Sequence, residues 1–124
     1  MNEAAMVVER YIQIWNETDA NARQALVAKT WTTDATYLDP MMRGDGAAGI
    51  DAMIAGVQAQ FPGFLFRRIG NVDAHNDWLR FSWECGLGAD GAAQLAGTDF
   101  ARLSADGRLA SVTGFLDLAP GEAA

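Results

Sequence analysis

Hydrophobic and polar positions follow a helical period through the first half of the chain. Over about residues 3–17, apolar residues recur every three or four positions with charged and amide residues between them, which indicates an amphipathic helix. A second helix is predicted over about 18–30, beginning where Thr18 and Asp19 offer capping oxygens. A third is predicted over about 50–61, ending before a Pro-Gly pair. Three helices therefore precede the middle of the chain.

Between the second and third helices the pattern predicts a brief strand. Residues 35–39 are β-prone, and Pro40 cannot donate a ladder hydrogen bond, so we expect the strand to end at Asp39. The following segment, 41–46, contains two glycines and is predicted to be a loop.

In the second half, apolar and polar residues alternate with a period of two, as they do in a half-buried strand. Turn-forming residues at 75–77, 89–91 and 105–107 divide this half into β-like runs. We therefore predict four strands in an antiparallel meander. One such run is carried by Leu79, Phe81, Trp83, Cys85 and Leu87, with Trp78, Arg80, Ser82 and Glu84 on the opposite face.

Length and composition indicate a single α+β domain over residues 1–124, with a folded core at about 4–117 and a short disordered C-terminal tail. The formal charge of −7 is the wrong sign for a nucleic acid or an anionic membrane surface. Neither a secretory signal nor a stretch long enough to span a bilayer is recognisable. We expect a cytoplasmic protein.

The chain has one cysteine and one histidine, which restricts the chemistry open to it. No internal disulfide can form, and a transition-metal site or a histidine-based nucleophile would lack its usual groups. We interpret His75, in a turn, and Cys85, on an apolar strand face, as structural. Arg43 is a possible loop contact for an anionic ligand. Chemistry here is expected to use carboxylates and hydroxyls, with no metal and no cofactor.

Asp99 is the most informative of these carboxylates, because alternation places it on the apolar face of its strand. A carboxyl group there must be hydrogen-bonded or protonated, and a neutral acid can donate to a developing oxyanion. Alternatively, Asp99 satisfies backbone amides or pairs with an arginine such as Arg67.

Asp39 and Tyr11 are the other two candidates for catalysis. A position at a strand end beside Pro40 can direct Asp39 into a pocket mouth, although an Asp-Pro turn that only stops the strand is the alternative. Tyr11 lies on the apolar stripe of the first helix, four residues before Trp15, so its phenol needs a buried partner or is ordinary core.

Bulky apolar residues from several predicted elements face inward and are the candidate lining of a ligand pocket, although a completely filled core would give the same pattern. These ligand-binding candidates are Trp15, Tyr37, Met53, Phe81, Trp83, Val112 and Leu116.

The order of elements and four short segments resemble the nuclear transport factor 2-like superfamily, which includes SnoaL-like polyketide cyclases. The segments are Glu9-Arg10-Tyr11, 34–40, 46–50 and Thr98-Asp99-Phe100. The resemblance implies a cone-shaped, curved antiparallel sheet packed on the three helices around an apolar pocket. Within the superfamily, ketosteroid isomerase uses an Asp base with a Tyr and a protonated Asp as oxyanion donors. That scheme implies Asp39 as base and Tyr11 with Asp99 as donors.

Our leading hypothesis is therefore a cofactor-independent isomerase or cyclase that removes a proton α to a carbonyl of a small apolar substrate. A non-catalytic binding domain for a small apolar ligand and a carboxylate-based epoxide hydrolase remain open, because one fold hosts many functions. A protein-interaction module is a further alternative. We expect a homodimer that pairs through the outer sheet face carrying Trp78 and Arg80.

Overall fold

The computed structural model describes residues 2–119, and within them the three predicted helices are present. Their bounds are α1 (Glu3–Asn16), α2 (Ala20–Thr30) and α3 (Gly46–Gln60). Helix α3 begins four residues earlier than predicted, because two alanines and Gly49 continue the helix in front of Ile50. Asp19 is the N-cap of α2, as predicted, and accepts a 2.8 Å hydrogen bond from the amide of Ala22.

Six strands form one curved, unclosed sheet against these helices, so the predicted α+β fold is confirmed. The last four strands are the predicted meander, and its three turns lie where the sequence places them. The strands are β1 (Trp31–Leu38), β2 (Arg43–Asp45), β3 (Phe64–His75), β4 (Trp78–Leu87), β5 (Ala93–Leu103) and β6 (Leu109–Leu118), in the spatial order β2-β1-β6-β5-β4-β3.

Three details of the sheet differ from the sequence-based expectation. Strand β1 begins at Trp31 rather than at Ala35. The residues that follow α2, Trp31, Thr32 and Thr33, are aromatic or β-branched and therefore favour a strand. The predicted loop contains β2, which pairs antiparallel with β1. Strand β1 also runs parallel to β6, so the sheet is mixed and not wholly antiparallel. The intervening α3 and β3–β5 supply the long connection that a parallel pair requires.

Helix α1 packs on β3, and α3 packs on β1 and β2, so the helices cover one face of the sheet. A buried ion pair joins α2 to α3, with Arg23 Nε 2.7 Å from Asp51 Oδ1. Gln58 Oε1 accepts from Arg23, and its amide nitrogen donates to the backbone carbonyls of Trp15 and Glu17. This network fixes the C-terminal end of α1 relative to the other two helices.

None of the helices within residues 2–119 is long and apolar enough to cross a membrane. The folded elements extend from Glu3 to Leu118, close to the predicted core. The predicted disordered tail falls mainly on residues 120–124, which lie outside the described part of the chain.

Candidate active site

A cavity lies between α1, α3 and the covered face of the sheet. Its volume is about 50 Å³, measured as the space open to the centre of a water molecule, and its wall is mostly apolar. The lining residues are Tyr11, Ile12, Trp15, Tyr37, Asp39, Met41, Met42, Val57, Gln60, Phe61, Phe66, Trp83, Cys85, Leu95 and Leu116.

Six of the ten residues singled out from the sequence lie on this wall, and four do not. Met53, Phe81 and Val112 lie off the wall: Phe81 and Val112 belong to the buried core, and Met53 packs against it. Asp99 lies directly behind the wall, bonded to Tyr11. The structure therefore separates residues that build the cavity from residues that support it.

Asp99 is 1 % exposed and accepts two hydrogen bonds from side chains on different elements. The Tyr11 hydroxyl donates to Oδ2 at 2.6 Å, and the Trp83 indole donates to Oδ1 at 3.1 Å. These two hydrogen bonds provide the partners that a carboxyl group on the apolar face of a strand was expected to have. The suggested pairing with Arg67 is wrong, because Arg67 binds Glu84 at 2.8 Å.

Burial raises the pKa of Asp99 from 3.8 to about 6, against the opposing effect of the hydrogen bonds from Tyr11 and Trp83; the charge of Asp39 raises it further. The carboxyl group is consequently mostly ionised at neutral pH and protonated below about pH 6. The neutral acid expected from the sequence is thus the low-pH form.

Two glycines in strand interiors create the space around Asp99. Gly97 pairs with Trp83 across the sheet, and a Cβ there would lie 2.6 Å from the indole carbon Cζ2. A Cβ on Gly114 would lie 2.7 Å from Asp99 Oδ1 and 3.4 Å from Asp39 Cβ. Sequence reasoning missed both, although an isolated glycine inside a strand pattern is a known signal of close approach.

Asp39 directly follows β1 and contacts both the turn after Pro40 and the cavity. Its Oδ1 accepts the backbone amides of Met41 and Met42 at 2.8 and 2.9 Å, which stabilises the turn after Pro40. Its Oδ2 accepts the Tyr37 hydroxyl at 2.6 Å, and the residue also lines the cavity. The turn therefore holds the carboxylate at the cavity wall.

Both phenols are donors rather than bases. Burial is the main cause that raises the pKa of Tyr11 and of Tyr37, and the charge of Asp99 raises each further. Tyr11 also packs its ring edge-on against Phe81, with centroids 5.2 Å apart. The core role and the polar role considered for Tyr11 are thus combined in one side chain.

Several wall residues were not predicted. Phe66 on β3 lies between two indoles, its ring centroid 5.2 Å from that of Trp15 and 5.3 Å from that of Trp83. Phe64, Leu65 and Phe66 are all apolar, so the sequence does not show which of them faces inward, and a register shift later in β3 also interrupts the pattern of that strand. Cys85 also lines the cavity, and burial raises the pKa of its thiol to about 11.

The remaining polar candidates lie away from the cavity. Arg43 is exposed and pairs with Asp45 at 3.0 Å, and His75 is an exposed residue at the end of β3. Within the described chain, no cluster of three or more His, Cys, Asp or Glu side chains is arranged to hold a metal ion.

Known structures share this architecture. A protein from Agrobacterium tumefaciens, named as a candidate isomerase of the SnoaL-like family, is 38% identical, with a TM-score of 0.89 and coverage of 94% of this chain and 99% of that one. An NTF2-like protein of unknown function from Exiguobacterium is 22% identical with a TM-score of 0.72, covering 90% of this chain and 98% of that one. A candidate SnoaL-like polyketide cyclase from Jannaschia is 16% identical with a TM-score of 0.69, covering 94% and 89%.

No protein of curated function matches the sequence. The family model for the SnoaL-like domain, however, matches residues 8–112, which include α1 from Val8 onward, the turn at Asp39 and the strand that carries Asp99. Together with the likeness to the Agrobacterium protein, this match identifies the chain as a member of the SnoaL-like family, within the NTF2-like superfamily.

Proposed function

We propose that this chain is a cofactor-independent isomerase or cyclase that removes a proton α to the carbonyl of a small apolar substrate. The observation that supports it is the presence of two Tyr-Asp pairs at one apolar cavity, Tyr37 with Asp39 on the wall and Tyr11 with Asp99 behind it. The name of the Agrobacterium relative is consistent with this chemistry.

Asp39 is the base in this proposal. Its Oδ2 accepts one hydrogen bond from Tyr37, which leaves a lone pair on that oxygen for a substrate proton. Transfer of the α-proton to Asp39 leaves the electron pair of the broken C–H bond in an enolate, whose charge resides mainly on oxygen. In an isomerase the substrate carries a C=C bond next to the α-carbon, the enolate is conjugated with it, and Asp39 returns the proton to the far carbon of that bond as the carbonyl re-forms. In a cyclase the enolate carbon forms a C–C bond to a second carbonyl of the substrate, the π electrons of that carbonyl move to its oxygen, and this oxygen takes the proton from Asp39.

Tyr11 is the proposed donor to the enolate oxygen, and Asp99 acts through it as a positioning residue. In the ionised state of Asp99, the Tyr11 proton is directed to the carboxylate. When Asp99 is protonated, its own proton can be donated to the phenol oxygen, which releases the Tyr11 proton toward the cavity. This relay differs from the resemblance-based expectation that both residues contact the oxyanion directly, because Asp99 is not on the cavity wall.

Solvent deuterium exchange tests the proposal. Purified protein is incubated with compact ketones such as 1-indanone or 2-cyclohexenone in D₂O, and loss of the α-proton signals is followed by NMR. Exchange above the buffer rate is expected for the wild type and is expected to fall by orders of magnitude in Asp39→Asn. Asp45→Asn is the matched control, because Asp45 is an exposed carboxylate in the same segment but off the cavity wall. Ketone binding without exchange in the wild type would reject catalysis.

The non-catalytic binding domain is the second candidate, and the turn at Asp39 favours it. Two backbone amides and a phenol already satisfy that carboxylate, as they would in a purely structural turn. The same exchange experiment separates the two functions.

We further propose that the protein is a cytoplasmic homodimer joined through the outer sheet face. Phe100 and Phe115 are exposed there and contact each other edge-on, with ring centroids 5.8 Å apart. Exposed aromatic pairs of this kind are typical of subunit contacts. Light scattering should give twice the mass of the chain, and Phe115→Ser should shift the protein toward monomer.

A further inference from the structure

Two oxygen atoms of different side chains lie close together on the cavity wall beside the end of β1. The Tyr37 hydroxyl donates to Asp39 Oδ2 at 2.6 Å, and both residues line the cavity. In a ketone, standard bond lengths place the α-carbon and the carbonyl oxygen about 2.4 Å apart. The two spacings match, so a ketone can place its α-carbon at Asp39 while its oxygen lies at Tyr37.

We propose that Tyr37 is a second donor to the enolate oxygen, available only after Asp39 has taken the substrate proton. The inference rests on the proposed function, because it assumes the same cavity and the same base. Before the transfer, the Asp39 carboxylate is the stronger acceptor and holds the Tyr37 hydroxyl. After the transfer, Asp39 is neutral and the enolate oxygen carries the charge, so the Tyr37 hydroxyl turns to that oxygen.

Protons and electrons balance between the substrate and Asp39. The α C–H bond breaks and its proton forms an O–H bond with Asp39 Oδ2. The electron pair of that bond becomes the C=C bond of the enolate as the carbonyl π electrons move to oxygen. Tyr37 keeps its own proton and changes only its acceptor, and it turns back when Asp39 gives up the proton. Tyr37 thus stabilises the enolate and not the bound ketone, which is the condition for lowering the barrier.

The ring of Tyr37 is fixed, whereas its hydroxyl can turn about the Cζ–Oη bond. Tyr37 pairs with Gly44 on one side of β1 and with Val112 on the other. Its ring packs against that of Trp15 with centroids 5.7 Å apart, and the residue is 3 % exposed. A donor held in this way needs little reorganisation to meet the developing charge.

Asp39 is held at the same point of the wall. Its Oδ1 accepts the backbone amides of Met41 and Met42 at 2.8 and 2.9 Å, which fixes the plane of the carboxyl group. The oxygen left for the substrate proton is therefore Oδ2, the one that Tyr37 binds. Arrival of the proton at that atom directly weakens it as an acceptor for Tyr37.

Tyr37 also lies next to the first proposed donor. Burial is the main cause that raises the pKa of Tyr37, and the charges of Asp99 and Asp39 raise it further. An interaction with the Tyr11 hydroxyl counteracts part of that rise, so the two phenols lie close together. Both keep their protons at neutral pH. One enolate oxygen can therefore be met by both hydroxyls.

The first test measures binding of 4-nitrophenol, whose phenolate resembles an enolate, by absorbance titration at a mildly alkaline pH where the probe is an anion. Asp39→Asn reproduces neutral Asp39: the new amide oxygen can keep the turn bonds, and its NH₂ group can donate to Tyr37, whose proton is then free. In this background Tyr37→Phe should weaken phenolate binding about tenfold. In the wild-type background the same substitution should change it less than about twofold, because Asp39 holds the hydroxyl.

Deuterium exchange of 1-indanone gives a second measurement. Tyr37→Phe should lower the exchange rate about ten- to a hundredfold and leave the affinity for the ketone unchanged, because the donor acts only on the enolate. Thr36→Val is the matched control, since it removes a hydroxyl from the adjacent, exposed residue of the same strand, off the cavity wall. It should alter neither exchange nor phenolate binding.

A third measurement does not need Tyr37→Phe to fold. The chain has two tyrosines, so labelling with ¹³Cζ-tyrosine should give two NMR signals whose positions report hydrogen bonding of the phenols. Both signals should move when Asp39→Asn is saturated with 4-nitrophenolate, because both hydroxyls meet the same oxygen.

Four results would overturn the inference: the same effect of Tyr37→Phe on phenolate affinity in both backgrounds, an unchanged exchange rate in Tyr37→Phe, a tyrosine signal that stays unmoved, or no phenolate binding by Asp39→Asn. Failure here is distinguishable from failure of the proposed catalysis. Exchange in the wild type that Tyr37→Phe does not slow rejects the role of Tyr37 alone. Absence of exchange in the wild type rejects the isomerase or cyclase, whereas the phenolate titrations still show whether Tyr37 changes its acceptor.

Discussion

Gly114 lies directly opposite Asp99 in the pairing of β5 with β6, and a methyl group at position 114 would lie 2.7 Å from the Asp99 Oδ1 atom. The same methyl would lie 3.4 Å from the Cβ of Asp39. The absence of a side chain at Gly114 thus leaves space for the carboxyl group of Asp99. Gly114 also lies next to Asp39, which lines the cavity.

Gly114→Ala should therefore disturb both carboxylates. The new methyl must displace Asp99 from its bonds to Tyr11 and Trp83, and we expect a loss of about 1–3 kcal/mol in the free energy of unfolding. Urea denaturation near neutral pH measures this. Gly56→Ala in α3 is the control: a Cβ there meets nothing within 4 Å, so that variant should be as stable as the wild type or more so. Equal stability of the two variants would contradict the crowding.

The stability of the protein should depend on the ionisation of Asp99. Its pKa of about 6 in the folded state is above the ordinary value of 3.8, so the native state binds more protons between these values. The contribution of this group is fully present below about pH 4 and is lost as pH rises through about 6, by an amount on the order of 3 kcal/mol.

Asp99→Asn should remove that dependence. Urea unfolding of the wild type and the variant at several values from about pH 4 to about pH 8 should show the variant gaining on the wild type as pH rises. An amide also mimics the protonated acid, because it pairs an uncharged acceptor oxygen with an N–H donor group. Unfolding curves that stay parallel across this range would show that the ionisation of Asp99 is not coupled to folding.

Cys85 should be a slow but specific reporter of the cavity. It is 1 % exposed, and burial raises the pKa of its thiol to about 11, so little thiolate is present near neutral pH. We expect slow alkylation by iodoacetamide in native protein, rapid alkylation in urea, and further protection by 1-indanone, each followed by intact-protein mass spectrometry. Rapid labelling of the native protein would show that the cavity opens readily.

The buried pair of Arg23 with Asp51 should be essential for stability. Arg23→Ala leaves a nearly buried carboxylate without its cation and also breaks the link to Gln58, which should cost about 3–5 kcal/mol in urea unfolding. Arg43→Ala breaks the exposed pair with Asp45 and should change stability by less than about 0.5 kcal/mol. Comparable losses in both variants would contradict the role assigned to burial.

Much of the fold could be predicted because periodicity records which face of an element is buried. The alternation around Asp99 predicted that its side chain lies on the buried face of the sheet, and the helical spacing of Tyr11 and Trp15 predicted that both rings face the core. Periodicity does not encode which strands become neighbours. The parallel pairing of β1 with β6, which brings Tyr37 opposite Val112, is a tertiary choice that local sequence does not specify.

The positions of Tyr11 and Asp39 at the cavity could be predicted, whereas Asp99 lies behind the wall and the apolar boundary was predicted less well. Met53 and Val112 share the apolar character of Leu116, and only the packing decides which of them reaches the cavity wall. The role of Gly97 could not be predicted for a similar reason, because it depends on the Trp83 indole of the neighbouring strand.

The parallel contact between the first and the last strand also determines when the site can exist during synthesis. Tyr11 and Asp99 are 88 positions apart, and Asp39 is beside Gly114 only when β6 has joined β1. A nascent chain that has left the ribosome as far as β4 carries Tyr11 and the Asp39 turn but has no acid to place behind them. Because contacts that close so long a loop form slowly, we expect the cavity to be among the last features to form. We therefore expect ligand binding only after β5 and β6 are in place, and a ligand would stabilise only molecules in which β6 has joined β1.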